Sequence, residues 1–487
     1  MSALPNTAFI DPAGHNRAAI EALLHQALSL LLEEMTRAKA RSPLPAPIDT
    51  AQFDQWAVIP ARSRDAAELL EEVRSLVTHS MNAAHPGYIG HMDSIPTTIS
   101  IVGDLLAAAL NNNMLSVEMS PVFSRLEPLV MQQIAMRFGL GASAGGVMVS
   151  GGSLANLQAL SVARNVAFDA VKTGVVGLTK QPVFFVSEVA HTSMQKAAMM
   201  MGLGADAAIA IRANANSQIK IGDLTDKFTH AQRLGQAPFA IVATAGTTVT
   251  GNIDPLTEVA EVAQSHGLWF HVDAAYGGAL VFSPEHRHRL AGIEHADSIT
   301  FNPQKWLYVT KTCATVLFKN VSVLKEHFRI LAPYMGDDEQ WPNLGELSVQ
   351  GTRHPDILKL WLSLQHLGAD GYAQIIRGNY QLTEQFVQEV KARADLQLAS
   401  EPQMNLVCFR LAPKGVPSEQ WDVLNAQVQR ELLREQQATF LSLPSYKGQR
   451  WLKAVLLNPY TCHSDIAQLF EQIDTFLLTV QSLKVQA

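Results

Sequence analysis

Two early segments repeat apolar residues at helical spacing. Ile20, Leu23, Leu24, Ala27, Leu28 and Leu31 share one face of a helix predicted over 17–38, and a second helix is predicted near Ala66–Ser80. Between them Pro43, Pro45, Pro47 and Pro60 predict an irregular arm over 41–63. Helices with such faces cannot bury them alone, so the segment either covers the core locally or packs on a second subunit. A loop follows at His85–Asp93, marked by Pro86, Gly87 and Gly90, and then a long helical stretch through Ile101–Leu110. Ser120 before Pro121 predicts the N-cap of another helix, which carries Leu126, Leu129, Val130 and Ile134 and runs to about Gly139.

From Val147 the pattern changes. Short unbroken apolar runs appear at Val147–Val149, Val183–Ser187, Phe239–Thr244, Leu268–Val272, Ser298–Phe301 and Cys313–Phe318. Helical stretches separate most of them. Alternating elements of this kind predict an α/β fold, a mostly parallel sheet flanked by helices. The methionines Met199–Met201 read as core, and His286–Arg289 as a solvated helix start. After Lys319 periodicity lapses, and Leu331–Asp338 reads as a mobile loop of the kind that forms lids. A helix through Leu360, Trp361 and Leu364 comes next. From about Tyr372 a second pattern begins: helix to Ala394, strand Leu406–Leu411, helix from Ser418, strand Leu452–Leu457 and a last helix to Leu483. The predicted division is an N-terminal helical arm over 1–97, a large domain over 98–372 and a small α+β domain over 373–487.

Composition narrows the partners. The chain has 487 residues, 47% apolar and 17% charged, and a net charge of −7, so it lacks the basic footprint of a nucleic-acid binder. Three cysteines far apart, Cys313, Cys408 and Cys462, give neither a disulfide framework nor metal-ligand spacing. No basic-then-apolar start resembles a secretory signal and no apolar run reaches membrane-spanning length, so a cytoplasmic protein without membrane or metal partners is expected.

Polar residues collect at the predicted strand ends, where open α/β sheets bind ligands. The run ending in Val272 delivers Asp273 to a small-residue turn, and the run ending in Phe301 delivers Lys305 just past its end. One acid and one amine at one edge is what pyridoxal phosphate chemistry needs, the amine to hold the cofactor as a Schiff base and the acid to keep its ring nitrogen protonated. Taken alone, the aspartate also reads as a cap or ion-pair member and the lysine as a solvated side chain. Ser150-Gly151-Gly152-Ser153, between a strand and a helix start, offers free N–H groups to an anion, or is an ordinary turn. His191, after another strand, either stacks on an aromatic ligand or sits in a helix start.

Taken together, these residues resemble a family. Ala243-Thr244-Ala245-Gly246-Thr247-Thr248, His271–Gly278, His286–Lys305 with Gly292-Ile293-Glu294, Arg353-His354-Pro355-Asp356 and Asn458-Pro459 occur in order. The chain is similar over residues 83–470 to the group II pyridoxal-phosphate-dependent amino acid decarboxylases, which include glutamate, cysteine sulfinate and aromatic amino acid decarboxylases. Asn113-Met114, Glu118–Phe123 and the Arg353 stretch resemble most closely the glutamate and cysteine sulfinate branch.

The resemblance implies a fold-type I enzyme, pyridoxal 5'-phosphate as cofactor, a small-molecule amino acid substrate, and a homodimer with its active site at the subunit interface. It implies Lys305 as the covalent anchor, Asp273 facing the pyridine nitrogen, and His191 and Ala275 on the two faces of the ring. Gly152, Ser153 and Asn302 are implied as phosphate ligands, with Thr248 near the cofactor. Tyr334, 29 residues after Lys305, is implied as the proton donor of the catalytic loop. Gln304 stands where the family usually has histidine, keeping a donor for phosphate without the charge. His91 and Asp93 replace glutamine and serine in the His85 loop, and Lys453 stands where many members have a substrate-contacting arginine. His85, His91, Asp93, Arg353 and Lys453 are therefore the expected substrate-binding set. The expected reaction is α-decarboxylation, of an acidic amino acid by branch. Aromatic or diamino substrates, aminotransferase or carbon–carbon lyase chemistry on the same fold, and a non-catalytic scaffold are the alternatives.

Overall fold

The computed structural model describes residues 4–45, 47–333, 335–336, 340–434 and 438–485. By contacts the chain forms two compact units, one of 92–425 with 443–457 and the other of 1–91, 426–442 and 458–487. This grouping cuts the chain differently from the division at 97 and 372.

The larger unit is built on a seven-stranded sheet. Its strands are β1 Gly145–Val149, β2 Pro182–Ser187, β3 Ala208–Ile211, β4 Ala237–Thr244, β5 Trp269–Asp273, β6 Ser298–Phe301 and β7 Ala314–Phe318, in the order β1-β7-β6-β5-β4-β2-β3. The pairs from β3 through β2, β4 and β5 to β6 are parallel. β7 alone runs antiparallel, to both β1 and β6. Most strand residues are buried, so the strands read as near-continuous apolar runs, as strands covered on both faces must. β3, Ala-Ile-Ala-Ile, escapes a periodicity search because it is only four residues long. The order puts the ends of β4, β5 and β6 side by side, with Thr244 paired to Asp273 and Asp273 to Thr300.

Helices flank the sheet: α4 Thr98–Leu110, α5 Phe123–Arg137, α6 Gly152–Phe168 and, after the short α7 Ala170–Thr173, α8 Ser193–Met200. The helix Ile357–Lys391 is broken at Gly368, where φ is 62° and ψ 178°, so two helices meet close to the predicted change of pattern. A second, antiparallel sheet in the same unit holds β8 Leu396–Leu398 and β9 Leu406–Leu411; with the hairpin β10 Ser445–Tyr446 and β11 Gln449–Arg450 between, β12 Leu452–Val455 then pairs with β9.

The smaller unit contains α1 Arg17–Thr36, α2 Thr50–Trp56, α3 Ala66–His79 and the last helix, His463–Val485. The apolar face of α1 stays largely open: Leu24 and Leu28 are 45% and 47% exposed, whereas Leu30 is buried. Arg74 of α3 ties the pair of helices through Glu33 and Glu34 of α1, at 3.0 and 3.3 Å.

Several local expectations shift for physical reasons. The arm over 41–63 contains α2, started by the Asp49 carboxylate accepting from the N–H of Ala51. Ser120 does not cap α5. Its hydroxyl turns to the sulfur of Met114 at 3.2 Å, and α5 begins only at Phe123. Met199 and Met200 are exposed and only Met201 is core. His286 is not solvated but stacks on Tyr380, ring centres 3.6 Å apart, with the Arg289 guanidinium over the same ring. No helix among the described residues is long and apolar enough to cross a membrane.

Candidate active site

At the carboxyl ends of β4, β5 and β6, beside the start of α6, lies a cavity of about 180 Å³ lined by Gly152, Ser153, Asn156, His191, Thr244, Gly246, Thr248, Asp273, Ala275, Asn302 and Lys305. The sheet explains the convergence. Parallel strands point all their ends one way, and each run delivers its polar residue to the same edge. Eight sequence-predicted residues meet here: Gly152, Ser153, His191, Thr248, Asp273, Ala275, Asn302 and Lys305.

Asp273 is buried, and each carboxylate oxygen has a donor: the Asn156 amide at 2.9 Å on one and the N–H of Ala275 at 3.1 Å on the other. Lys305 sits just past β6. Among the described residues its amine makes no hydrogen bond. Burial pulls its pKa below that of a free lysine, while Asp273 and Asp93 oppose the shift and Lys311 adds to it. An amine with a larger neutral fraction is the better nucleophile. His191 lines the same cavity, and its Nδ1 accepts from the N–H of Ser193 at 3.1 Å, leaving the proton on Nε2. Crowding by the surrounding protein lowers its pKa, against the pull of Asp273.

At the other end, α6 begins at Gly152, and the N–H groups of Gly152 and Ser153 precede the first intrahelical bonds, which Leu154 and Ala155 make to the Gly151 carbonyl. A Cβ on Gly152 would stand 2.9 Å from the Asn302 amide nitrogen, so only glycine lets the helix start approach Asn302 this closely. Gly246, with φ 108°, is held against Met404 in the same way, a Cβ there meeting its methyl at 2.5 Å. Two buried side-chain oxygens, Asn302 Oδ1 and Thr244 Oγ1, have no protein partner. An anion cradle beside unspent polar groups, a half-buried primary amine and an opposing carboxylate fit a phosphorylated pyridine aldehyde from end to end.

The remaining predicted residues fall elsewhere. Gln304 does not line the cavity; its Oε1 accepts from the N–H of Cys313, bracing the start of β7. Arg353 is buried in a two-pronged pair with Glu127, at 3.0 and 3.1 Å, and Glu127 also accepts from the N–H of Met148 in β1. That guanidinium therefore holds the sheet to α5 and is not presented to this cavity. Asp93 is ion-paired to Lys311. Lys453, on β12, donates to the carbonyl of Thr248 at 3.3 Å. Burial lowers its pKa, and the charges of Lys305 and Asp93 reach it. His85 and His91 belong to the smaller unit, where His85 Nδ1 accepts from the N–H of Gly87 and His91 packs on Phe440. Tyr334 lies outside the described residues. Sequence reasoning missed Asn156, Thr244 and Gly246 as lining groups. The available signal was the amide of Asn156, set between Leu154, Ala155 and Leu157 early in α6.

A family model described as the pyridoxal-dependent decarboxylase conserved domain matches residues 50–412. Among solved structures, mouse CSAD, a cysteine sulfinic acid decarboxylase, in its apo form superposes with a TM-score of 0.88 at 28% identity, covering 94% of this chain and 99% of that one. The glutamate decarboxylase domain of a diaminobutyrate-pyruvate transaminase and L-2,4-diaminobutyrate decarboxylase from Vibrio parahaemolyticus reaches 0.83 at 26%, covering 97% and 98%. Oryza sativa TDC, solved with PLP and tryptamine, reaches 0.90 at 24%, covering 97% and 100%, a likeness of fold.

Proposed function

Because the chain belongs to the pyridoxal-dependent decarboxylase family and is a PLP-dependent amino acid carboxy-lyase, we propose that its substrate is an acidic L-amino acid of the glutamate, aspartate or cysteine sulfinate type. The observation that carries this reading is the pair of charges around Lys453. Its ammonium is buried within electrostatic reach of Lys305, where a second substrate carboxylate would need a cation. Asp93, which would repel that carboxylate, is already neutralised by Lys311. Similarity to a cysteine sulfinic acid decarboxylase supports the same class.

Pyridoxal phosphate, when bound, supplies the electron sink for the pair left behind as CO2 departs. The chain's own residues do the rest. Lys305 Nζ would be the point of covalent attachment, its amine giving way to that of the substrate. Asp273 holds a proton at the pyridine nitrogen, with a field fixed before the reaction begins. His191 and Ala275 bound the two faces of the ring. The first turn of α6, Ser153 and Asn302 bind the phosphate, with Thr248 alongside. Tyr334 returns a proton to Cα as general acid. Gln304 acts on this site indirectly, through β7. In the same reading residues 1–97 form an arm exchanged between the subunits of a cytoplasmic homodimer, 98–372 the cofactor domain and 373–487 the small domain. The open leucines of α1 support a subunit contact.

The test is CO2 release from a panel of L-amino acids by the purified, cofactor-supplemented protein. Acidic substrates should lead by roughly tenfold or more, the scale of one charge-assisted contact. Faster turnover of an aromatic or diamino acid would overturn the assignment.

A further inference from the structure

A chain of hydrogen bonds runs along one face of the sheet, from Trp269 at the start of β5 to Asp273 at its end. The indole N–H of Trp269 donates to the Ser298 hydroxyl at 2.8 Å, and that hydroxyl lies 2.8 Å from His271 Nδ1. His271 Nε2 lies 3.0 Å from Asn156 Oδ1, and the Asn156 amide N–H donates to Asp273 at 2.9 Å and to the Ser193 hydroxyl at 3.0 Å. Ser298, His271 and Asn156 are all buried to 2% exposure or less.

Every direction in this chain is forced. A carboxylate only accepts, so the NH2 end of Asn156 faces Asp273 and its oxygen faces His271. That oxygen needs a donor, so His271 carries its proton on Nε2. Nδ1 must then accept, and the Ser298 hydroxyl, which accepts from Trp269, keeps its proton to donate to it. The other tautomer would donate from Nδ1 to the Ser298 carbonyl at 3.1 Å, but it would set a bare Nε2 against a bare Asn156 oxygen. Each link therefore points its proton toward the carboxylate. Burial of the imidazole keeps it neutral, its pKa lowered to about 4 in spite of Asp273 nearby.

We propose that Trp269, Ser298, His271 and Asn156 form a one-way donor relay that orients Asp273 toward whatever cation faces it, making His271 and Asn156 positioning residues of the active site. The proposal rests on the assignment of Asp273 to the cofactor ring. The relay does not transfer a proton. It polarises: each donor strengthens the next, and the last fixes one carboxylate oxygen so that the other lone pairs face the cavity.

The experiment measures cofactor affinity by titrating the apo protein with pyridoxal phosphate, and the visible absorption maximum of the reconstituted protein. Asn156→Ala should raise Kd by roughly tenfold to a hundredfold, the range for a lost hydrogen bond to a charged group, and displace the maximum. His271→Gln should stay within about twofold of wild type, because an amide can donate to Asn156 and accept from Ser298 as the neutral imidazole does. His271→Leu, close in size but mute, should behave like Asn156→Ala. Should His271→Leu fail to fold, Asn156→Ala against His271→Gln carries the test. Wild-type affinity and spectrum in Asn156→Ala would overturn the relay, as would equal behaviour of His271→Gln and His271→Leu. Asp273→Asn separates the two claims: a loss of affinity there with none in Asn156→Ala refutes the relay alone, and no loss in Asp273→Asn refutes the underlying assignment.

Discussion

Asp273 and Asp93 are both carboxylates whose charge reaches Lys305, yet the molecule holds them in opposite ways. Asp273 is buried at the end of β5 and receives neutral donors, one on each oxygen. Among the described residues it forms no ion pair. Asp93 lies in a loop, about one-third exposed, and is spent on the flexible cation of Lys311, itself about half exposed. One is a fixed field and the other a compensated one. The Asp273 end of the cavity is thus built into the sheet, while Asp93 is held by a side chain that can be exchanged singly.

Substitutions can break or sharpen this contrast. Lys305→Ala should abolish the cofactor's visible absorption and all CO2 release; a retained band after dialysis would show another anchor. Asp273→Asn keeps the shape and removes the fixed field, so kcat should fall by about 10²–10³-fold, the scale of a preorganised electrostatic contact, as single-turnover kinetics would measure. Lys453→Met should raise KM for the acidic substrate by roughly tenfold to a hundredfold and change kcat far less, because it removes a binding charge and no reacting group. An equal fall in kcat would place Lys453 in the chemistry instead. Lys311→Ala should unmask Asp93, with KM for acidic substrates up by several-fold and KM for a diamino acid down, consistent with an exposed pair worth about 1 kcal/mol or less. Unchanged preference would mean that Asp93 plays no part in selecting charge.

A separate effect concerns acid stability. His271 has its folded pKa depressed to about 4 from 6.5, so between these values the unfolded chain binds the extra proton. Its contribution is therefore complete above pH 6.5 and is lost as pH falls toward 4. His271→Gln should flatten this limb in thermal melts, whereas an unchanged acid limb would assign it to other groups.

The cofactor end was legible because local rules determine it. Strands covered on both faces read as apolar runs, and the parallel order brings their polar ends together, so Asp273, Lys305 and the glycine turn before α6 could be grouped without coordinates. Asn156 was not legible as a ligand of Asp273, since a helix period does not say what lies across from one amide. Lys311 and Asp93 are 218 residues apart, and no spacing rule pairs them. Arg353 carries a family motif yet is consumed by Glu127, because a buried guanidinium takes the partner that burial supplies. Gln304 is similar: its place beside Lys305 predicts a ligand, but the amide completes the backbone of β7.

The position of β7 has a consequence for how the protein is made. β1, which leads into the glycine turn before α6, is joined to the other six strands through β7, while β2, β4, β5 and β6 pair among themselves. On the ribosome β1 emerges first of the seven strands and β7 last, so β1 waits for residues 314–318 before it has a hydrogen-bonded neighbour. At about 5–20 residues per second that interval is roughly 10–30 s, in which the edge of β1 is unpaired and the anion cradle is not yet opposite Lys305. Cofactor capture is therefore a late event in synthesis, and a shortage of pyridoxal phosphate should leave a sheet closed around an empty pocket, not a chain arrested before closure.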